Sequence, residues 1–136
     1  MTLKSKSPIG YYGGKNGLWQ YIKLLLKYSD IYQYIEPFAG GLSVLFNKKP
    51  HTKEVINDID NRILIFWECC RSNFDELQDE IKNTLHHESL HKKASIILLE
   101  PYNYSIKMQA WAFWVQTQMS FSKKINGGFA HDNTVK

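Results

Sequence analysis

Apolar residues at Leu18, Trp19, Ile22, Leu25 and Leu26 recur at helical spacing across residues 15–27, which predicts a helix with one buried face. The pair Tyr34-Ile35 predicts a short strand that ends on Glu36 and runs into Pro37-Phe38-Ala39-Gly40-Gly41. An apolar stretch from Leu42 to Phe46 then opens a helix, stopped near Pro50. Val55-Ile56 is a second short strand leading into Asn57-Asp58, and from Ile59 the positions Ile59, Ile63, Phe66 and Trp67 return to helical spacing. Residues 75–99 are charged and rich in histidine, with apolar positions at wide helical intervals: one or two solvated helices. Residues 106–121 carry Trp111, Phe113, Trp114 and Phe121 and predict a mostly buried helix. Asn126-Gly127-Gly128 is a turn signal that predicts a hairpin. Strand–helix units in front and helices behind make an α/β beginning.

Composition narrows this only a little. The chain has 136 residues, one domain's worth or part of one, and at 43% apolar it can build a core. Lys plus Arg number 17 against 13 acids, a net charge of +4, which permits a nucleic-acid partner without requiring one. The two cysteines, Cys69 and Cys70, are adjacent and read as a reduced pair. No apolar run is long enough to cross a bilayer and no signal peptide opens the chain, so the expected compartment is the cytoplasm.

Three short motifs fail on their details. Gly10-Tyr11-Tyr12-Gly13-Gly14-Lys15-Asn16 nearly spells a phosphate-binding loop, but its spacing is one residue short and Asn16 stands where a hydroxyl is needed for magnesium. His87-Glu88-Ser89-Leu90-His91 matches the zinc-peptidase pattern formally, yet it sits on a polar, lysine-bearing stretch with no evident third ligand. Asp58-Ile59-Asp60-Asn61 begins like a calcium loop and lacks its glycine and closing glutamate. No metal is expected.

The turn after Glu36 and the acid at Asp58 are more informative together. Both lie at the expected carboxyl edge of a parallel sheet, where ligands bind in such folds. An acid about 20 residues beyond a glycine turn holds a ribose diol in dinucleotide sites, but the glycine pattern that admits a pyrophosphate is missing here. Two readings fit. One is a pocket for an adenosyl ligand without phosphates, of which S-adenosylmethionine is the common one. The other makes Gly40-Gly41 an ordinary tight turn and Asp58 a helix N-cap.

In combination, GYYGGK near the start, EPFAGG with its apolar tail, and NDID some twenty residues later resemble the Dam-type (D12 class) DNA adenine-N6 methyltransferases. The last motif departs from the family's pattern, with Asp60 where an asparagine is usual. WVQTQMSFSKKINGGFAHDN resembles the family's recognition region, an aromatic helix leading into a DNA-touching hairpin, so the similarity runs along the whole chain. The resemblance implies a Rossmann-like sheet with a helical insertion. It implies that residues 1–67 bind S-adenosylmethionine and that 68–136 are a helical target-recognition region with the start of a hairpin.

Carried over by position, the resemblance gives Tyr11 and Lys15 contacts to the cofactor, with Gly13 and Gly14 letting the backbone come close. Lys15 would meet the methionyl carboxylate. Phe38, Ala39 and Gly40 would wrap the cofactor, Asp58 would accept from its ribose hydroxyls, and Ile59 would pack on its adenine. Lys123, Lys124 and Asn126 fall where the family's hairpin meets double-stranded DNA.

The catalytic tetrapeptide of such enzymes, of the Asp-Pro-Pro-Tyr type, is not found: the four prolines are Pro8, Pro37, Pro50 and Pro101, and none follows an aspartate. The chain is therefore expected to be the N-terminal, cofactor-binding part of an adenine-N6 methyltransferase, inactive alone: a truncated product, a fragment, or one half of a split enzyme whose second chain supplies the rest. The alternative is a non-catalytic DNA- or cofactor-binding remnant of a phage or restriction-modification system. Half a sheet should also leave Val44 and Phe46 poorly covered.

Overall fold

The computed structural model describes residues 7–27 and 32–131. Two compact units divide the chain, Met1–Ile59 and Asp60–Lys136.

In the first unit, β1 (Gln33–Glu36) and β2 (Lys53–Ile56) pair in parallel, with Gln33 opposite Lys53 and Glu36 opposite Ile56. Parallel neighbours need a crossover. α2 (Ser43–Asn47) lies within it, entered through Leu42 in the left-handed region at φ 54°. The ladder continues past the strands, because Asn57 N–H donates to Glu36 O at 2.9 Å and Ala39 N–H to Asn57 O at 2.9 Å. The expected parallel strands and their acidic ends are therefore as read from the sequence.

The expected first helix begins as a 3-10 turn, Lys15–Leu18, and continues as α1 (Trp19–Lys27). Trp19, Ile22 and Leu26 are half-buried, but Leu18 and Leu25 are exposed, against expectation. The tighter 3-10 winding turns Leu18 out of the α-helical stripe, and Leu25 falls at the stripe's margin. Val44 also differs from expectation: it is 2% exposed, while Phe46 is exposed as foreseen. Leu42's left-handed backbone aims the first turn of α2 inward, so that Val44 shares a depression with Ile22, Tyr34 and Ile35.

The second unit is helical: α3 (Asn61–Ser72), α4 (Phe74–Lys82), α5 (Glu88–Leu99) and α6 (Ile106–Met119). α6 is buried at Ala110, Trp111, Ala112, Phe113, Val115, Gln116, Thr117 and Met119, nearly all round, because α3, α4 and α5 pack against it. Ser105 caps it, accepting from Met108 N–H. α3 begins two residues after Ile59, since the Asp60 side chain accepts from Arg62 N–H at 3.0 Å and grips the Arg62 guanidinium. Ile59 thus lies outside the buried face that Ile63, Phe66 and Trp67 form. The architecture is α/β in the limited sense of a two-stranded parallel sheet followed by packed helices. No helix among the described residues is long and apolar enough to cross a membrane.

Candidate functional site

Tyr34 and Glu36 are two residues apart on β1 and so share one face of the strand. The Tyr34 hydroxyl donates to Glu36 Oε2 at 3.0 Å, and burial, with the neighbouring carboxylate second, pushes the phenol's pKa up. Glu36 is buried. The Lys15 ammonium stands 3.1 Å from its Oε1 and donates to Phe38 O at 2.5 Å. Oε1 accepts no well-directed hydrogen bond, so Lys15 offsets its charge through space rather than along a lone pair.

The first glycine motif folds over the second. Gly14 N–H donates to Tyr11 O at 3.0 Å, closing a turn in which Gly13 takes φ +77°. A Cβ on Gly40, itself at φ +50°, would lie 3.1 Å from Tyr11 Cδ1, and one on Gly41 would lie 3.3 Å from Tyr11 Cβ. The Tyr11 side chain therefore rests on the Gly40-Gly41 turn, which only glycine lets it approach. From the other side, Gly40 N–H donates to Asp58 Oδ2 at 2.8 Å. The helix-capping role that the sequence left open for Asp58 belongs to Asp60 instead.

Three motifs that are far apart in sequence thus meet at the carboxyl ends of β1 and β2. Tyr11, Gly13, Gly14, Lys15, Phe38, Ala39, Gly40, Asp58 and Ile59 all belong to the first unit. Ala39 is buried and acts through its backbone, donating to Asn57 O and accepting from Leu42 N–H. Phe38 is 75% and Ile59 95% exposed, two large apolar side chains directly beyond the strand ends. Tyr34 was not foreseen as a member of this cluster. Its signal was the two-residue spacing from Glu36 on a strand.

In the second unit, Lys123, Lys124 and Asn126 are exposed on one compact loop. It is less than the expected hairpin: a single antiparallel bridge joins Ser120 to Phe129, with Phe121 N–H to Gly128 O and Ala130 N–H to Met119 O both at 2.8 Å. Ser122, Lys123 and Asn126 all have positive φ, between 54° and 61°. The histidines of the zinc-like motif serve the fold beside it. His87 Nδ1 accepts from Ser89 N–H and caps α5, and buried His91 places Nε2 2.8 Å from Ser120 Oγ. Burial pushes the His91 imidazole's pKa down. Among the described residues no group of three or more His, Cys, Asp or Glu side chains could hold a metal ion.

Residues 11–123 match the family model of the D12 class N6 adenine-specific DNA methyltransferases, and the chain belongs to that family. It is also similar to the Type II methyltransferase M.MjaIII of Methanocaldococcus jannaschii, with 34% identity over 61 residues. That match covers 43% of this chain and 21% of the relative, so it spans about a fifth of the relative's length.

Proposed function

We propose that this chain is the S-adenosylmethionine-binding part of a methyltransferase acting on adenine N6 in double-stranded DNA, and that it works in the cytoplasm. The observation that carries this reading is the meeting of three motifs at one sheet edge, with Tyr11 on the glycine turn and Gly40 N–H on Asp58. The residues fit an adenosyl ligand without phosphates. Asp58 offers a carboxylate to ribose hydroxyls, and Ile59 offers an apolar face to a purine. Lys15 would meet the methionyl carboxylate, exchanging part of its hold on Glu36 for the ligand. Tyr11, Gly13, Gly14, Phe38, Ala39 and Gly40 would form the wall, in which a Cβ on Gly14 or Gly40 would press on Tyr11.

The bound cofactor would supply an electrophilic methyl group on its sulfonium. Its acceptor, the exocyclic nitrogen of adenine, is a poor nucleophile whose lone pair is delocalised into the ring. It must be turned out of the helix and held by polar acceptors and an aromatic face. Those groups belong to the Asp-Pro-Pro-Tyr-type element, which these 136 residues do not contain. The two-stranded sheet, with Ile35 exposed on β1, supports a larger Rossmann-like sheet completed by further strands, since parallel sheets are ordinarily covered on both faces. A second chain carrying the catalytic half would be one source of that element. Lys123, Lys124 and Asn126 would face the DNA.

The assay is transfer of labelled methyl to mixed-sequence duplex DNA, with and without a chain bearing the tetrapeptide. The expected result is no transfer by this chain alone and N6-methyladenine when both are present. Transfer by the purified 136-residue chain alone would overturn the division of labour.

A further inference from the structure

Gln116 is a fully engaged polar side chain of the second unit, and nothing in the methyl-transfer chemistry uses it. It is 0% exposed on α6. Its amide nitrogen donates to His91 O at 3.2 Å and to Ser95 Oγ at 2.9 Å, both on α5. Its oxygen accepts from Ser120 Oγ at 3.0 Å and from the backbone N–H of Asn126 at 3.0 Å. Two donors and two lone pairs are all spent, which is an amide's full capacity. The orientation is fixed as well, because a backbone N–H can only donate and so must face the oxygen. With the Ser120 hydrogen directed at Gln116, His91 must donate through Nε2–H.

The loop at the far end of this network is costly to hold. Ser122 and Lys123 occupy the left-handed region, which disfavours side-chain-bearing residues, and Asn126 occupies it as well. Such a conformation persists only when its surroundings impose it. The loop's own bonds close its neck and its tip, Phe121 to Gly128 and Gly127 N–H to Lys124 O. Gln116 reaches into it from the core at Asn126, one of its left-handed residues.

We propose that Gln116 is a positioning residue for DNA binding: through the Asn126 amide it holds the 120–128 loop in the shape that presents Lys123 and Lys124 to the phosphate backbone. This rests on the DNA reading given above. Gln116→Met keeps the volume and flexibility of the side chain while removing the acceptor. Ser95 retains its bond to His91 O, and Ser120 still accepts from His91, so the donors left without the Gln116 oxygen are the Asn126 N–H and the Ser120 hydroxyl.

The test is equilibrium binding of the full chain to duplex DNA across a salt series, for wild type, Gln116→Met, Lys123→Ala/Lys124→Ala, and the triple variant. Gln116→Met should raise the DNA Kd about tenfold and lower the salt slope by about 2, the value of two phosphate contacts. The triple variant should bind no worse than the double-lysine variant, because residues acting through one another are not additive. Affinity for S-adenosylmethionine, measured in parallel, should stay within about twofold. An unchanged DNA Kd in folded Gln116→Met, or a loss that adds in full to that of the lysines, would overturn the positioning role alone. A wild type that binds cofactor but no duplex DNA would remove the DNA reading and this proposal with it. Should Gln116→Met not fold, amide exchange in the wild type decides. Asn126 N–H should exchange about a hundredfold more slowly than an open loop amide, and exchange at the open-loop rate would overturn the proposal.

Discussion

Phe113→Ala should remove about 3–5 kcal/mol from the stability of the second unit, the usual loss when a large aromatic leaves a sealed core. Phe113 lies on the helix that the others surround and has no exposed surface. Its ring centroid is 5.8 Å from that of Phe66, itself in edge contact with Trp67 on α3. Truncation therefore opens a cavity that no single side chain can fill by changing rotamer. Domains of this size are stable by about 5–15 kcal/mol in total, so the variant should unfold at a much lower denaturant concentration. Urea titration followed by tryptophan fluorescence measures it. A loss under about 1 kcal/mol would mean that α6 is not the centre of the core.

The next largest effect belongs to the glycine turn. Gly40→Val should cost the first unit about 2–5 kcal/mol. A β-branched side chain at φ +50° is strained by about 1–2 kcal/mol before it meets anything, and forcing it into packed surroundings adds about 1–3. The atom it meets is Tyr11 Cδ1, 3.1 Å from the new Cβ. Tyr11 must swing off the turn, and the first motif should then come away from the second. Cofactor binding should be lost with it. Gly17→Ala is the control: a Cβ there has nothing within 4 Å, and removing glycine's freedom in the unfolded chain should leave stability equal or up to about 1 kcal/mol higher. Equal losses in the two variants would show that the turn's geometry is not what matters.

The convergence of the motifs was legible because each strand is short and runs directly into an acid. With Glu36 and Asp58 both at strand ends, a parallel pairing alone brings them to one edge. What sequence could not say was which atoms join the motifs. Tyr11 rests on Gly40 and Gly41 because neither carries a Cβ, a contact no local periodicity announces. The start of α3 departs from the apolar spacing for a physical reason. Ile59 has the right spacing to Ile63 and Phe66, but Asp60 is a strong cap secured by Arg62, and a capped start outweighs one apolar residue's phase. Leu18 fits a buried face only at 3.6 residues per turn, and the chain winds more tightly there. Asn-Gly-Gly correctly marked a reversal. Its shape is set by Gln116, ten residues before Asn126 and on another element, so a hairpin rule based on neighbours misses it.

The central claim is that the three motifs form one S-adenosylmethionine site, and calorimetry of cofactor binding to the wild type, Asp58→Asn and Asp58→Ala tests it most directly. Asparagine retains an oxygen for Gly40 N–H, so the turn survives while the charge offered to the ribose hydroxyls is lost. Alanine removes both. The account predicts measurable binding by the wild type and a weakening of about 1–3 kcal/mol in Asp58→Ala, roughly 5- to 150-fold in Kd, with Asp58→Asn between the two. Cofactor affinity unchanged in both variants, with the chain still folded, would contradict it.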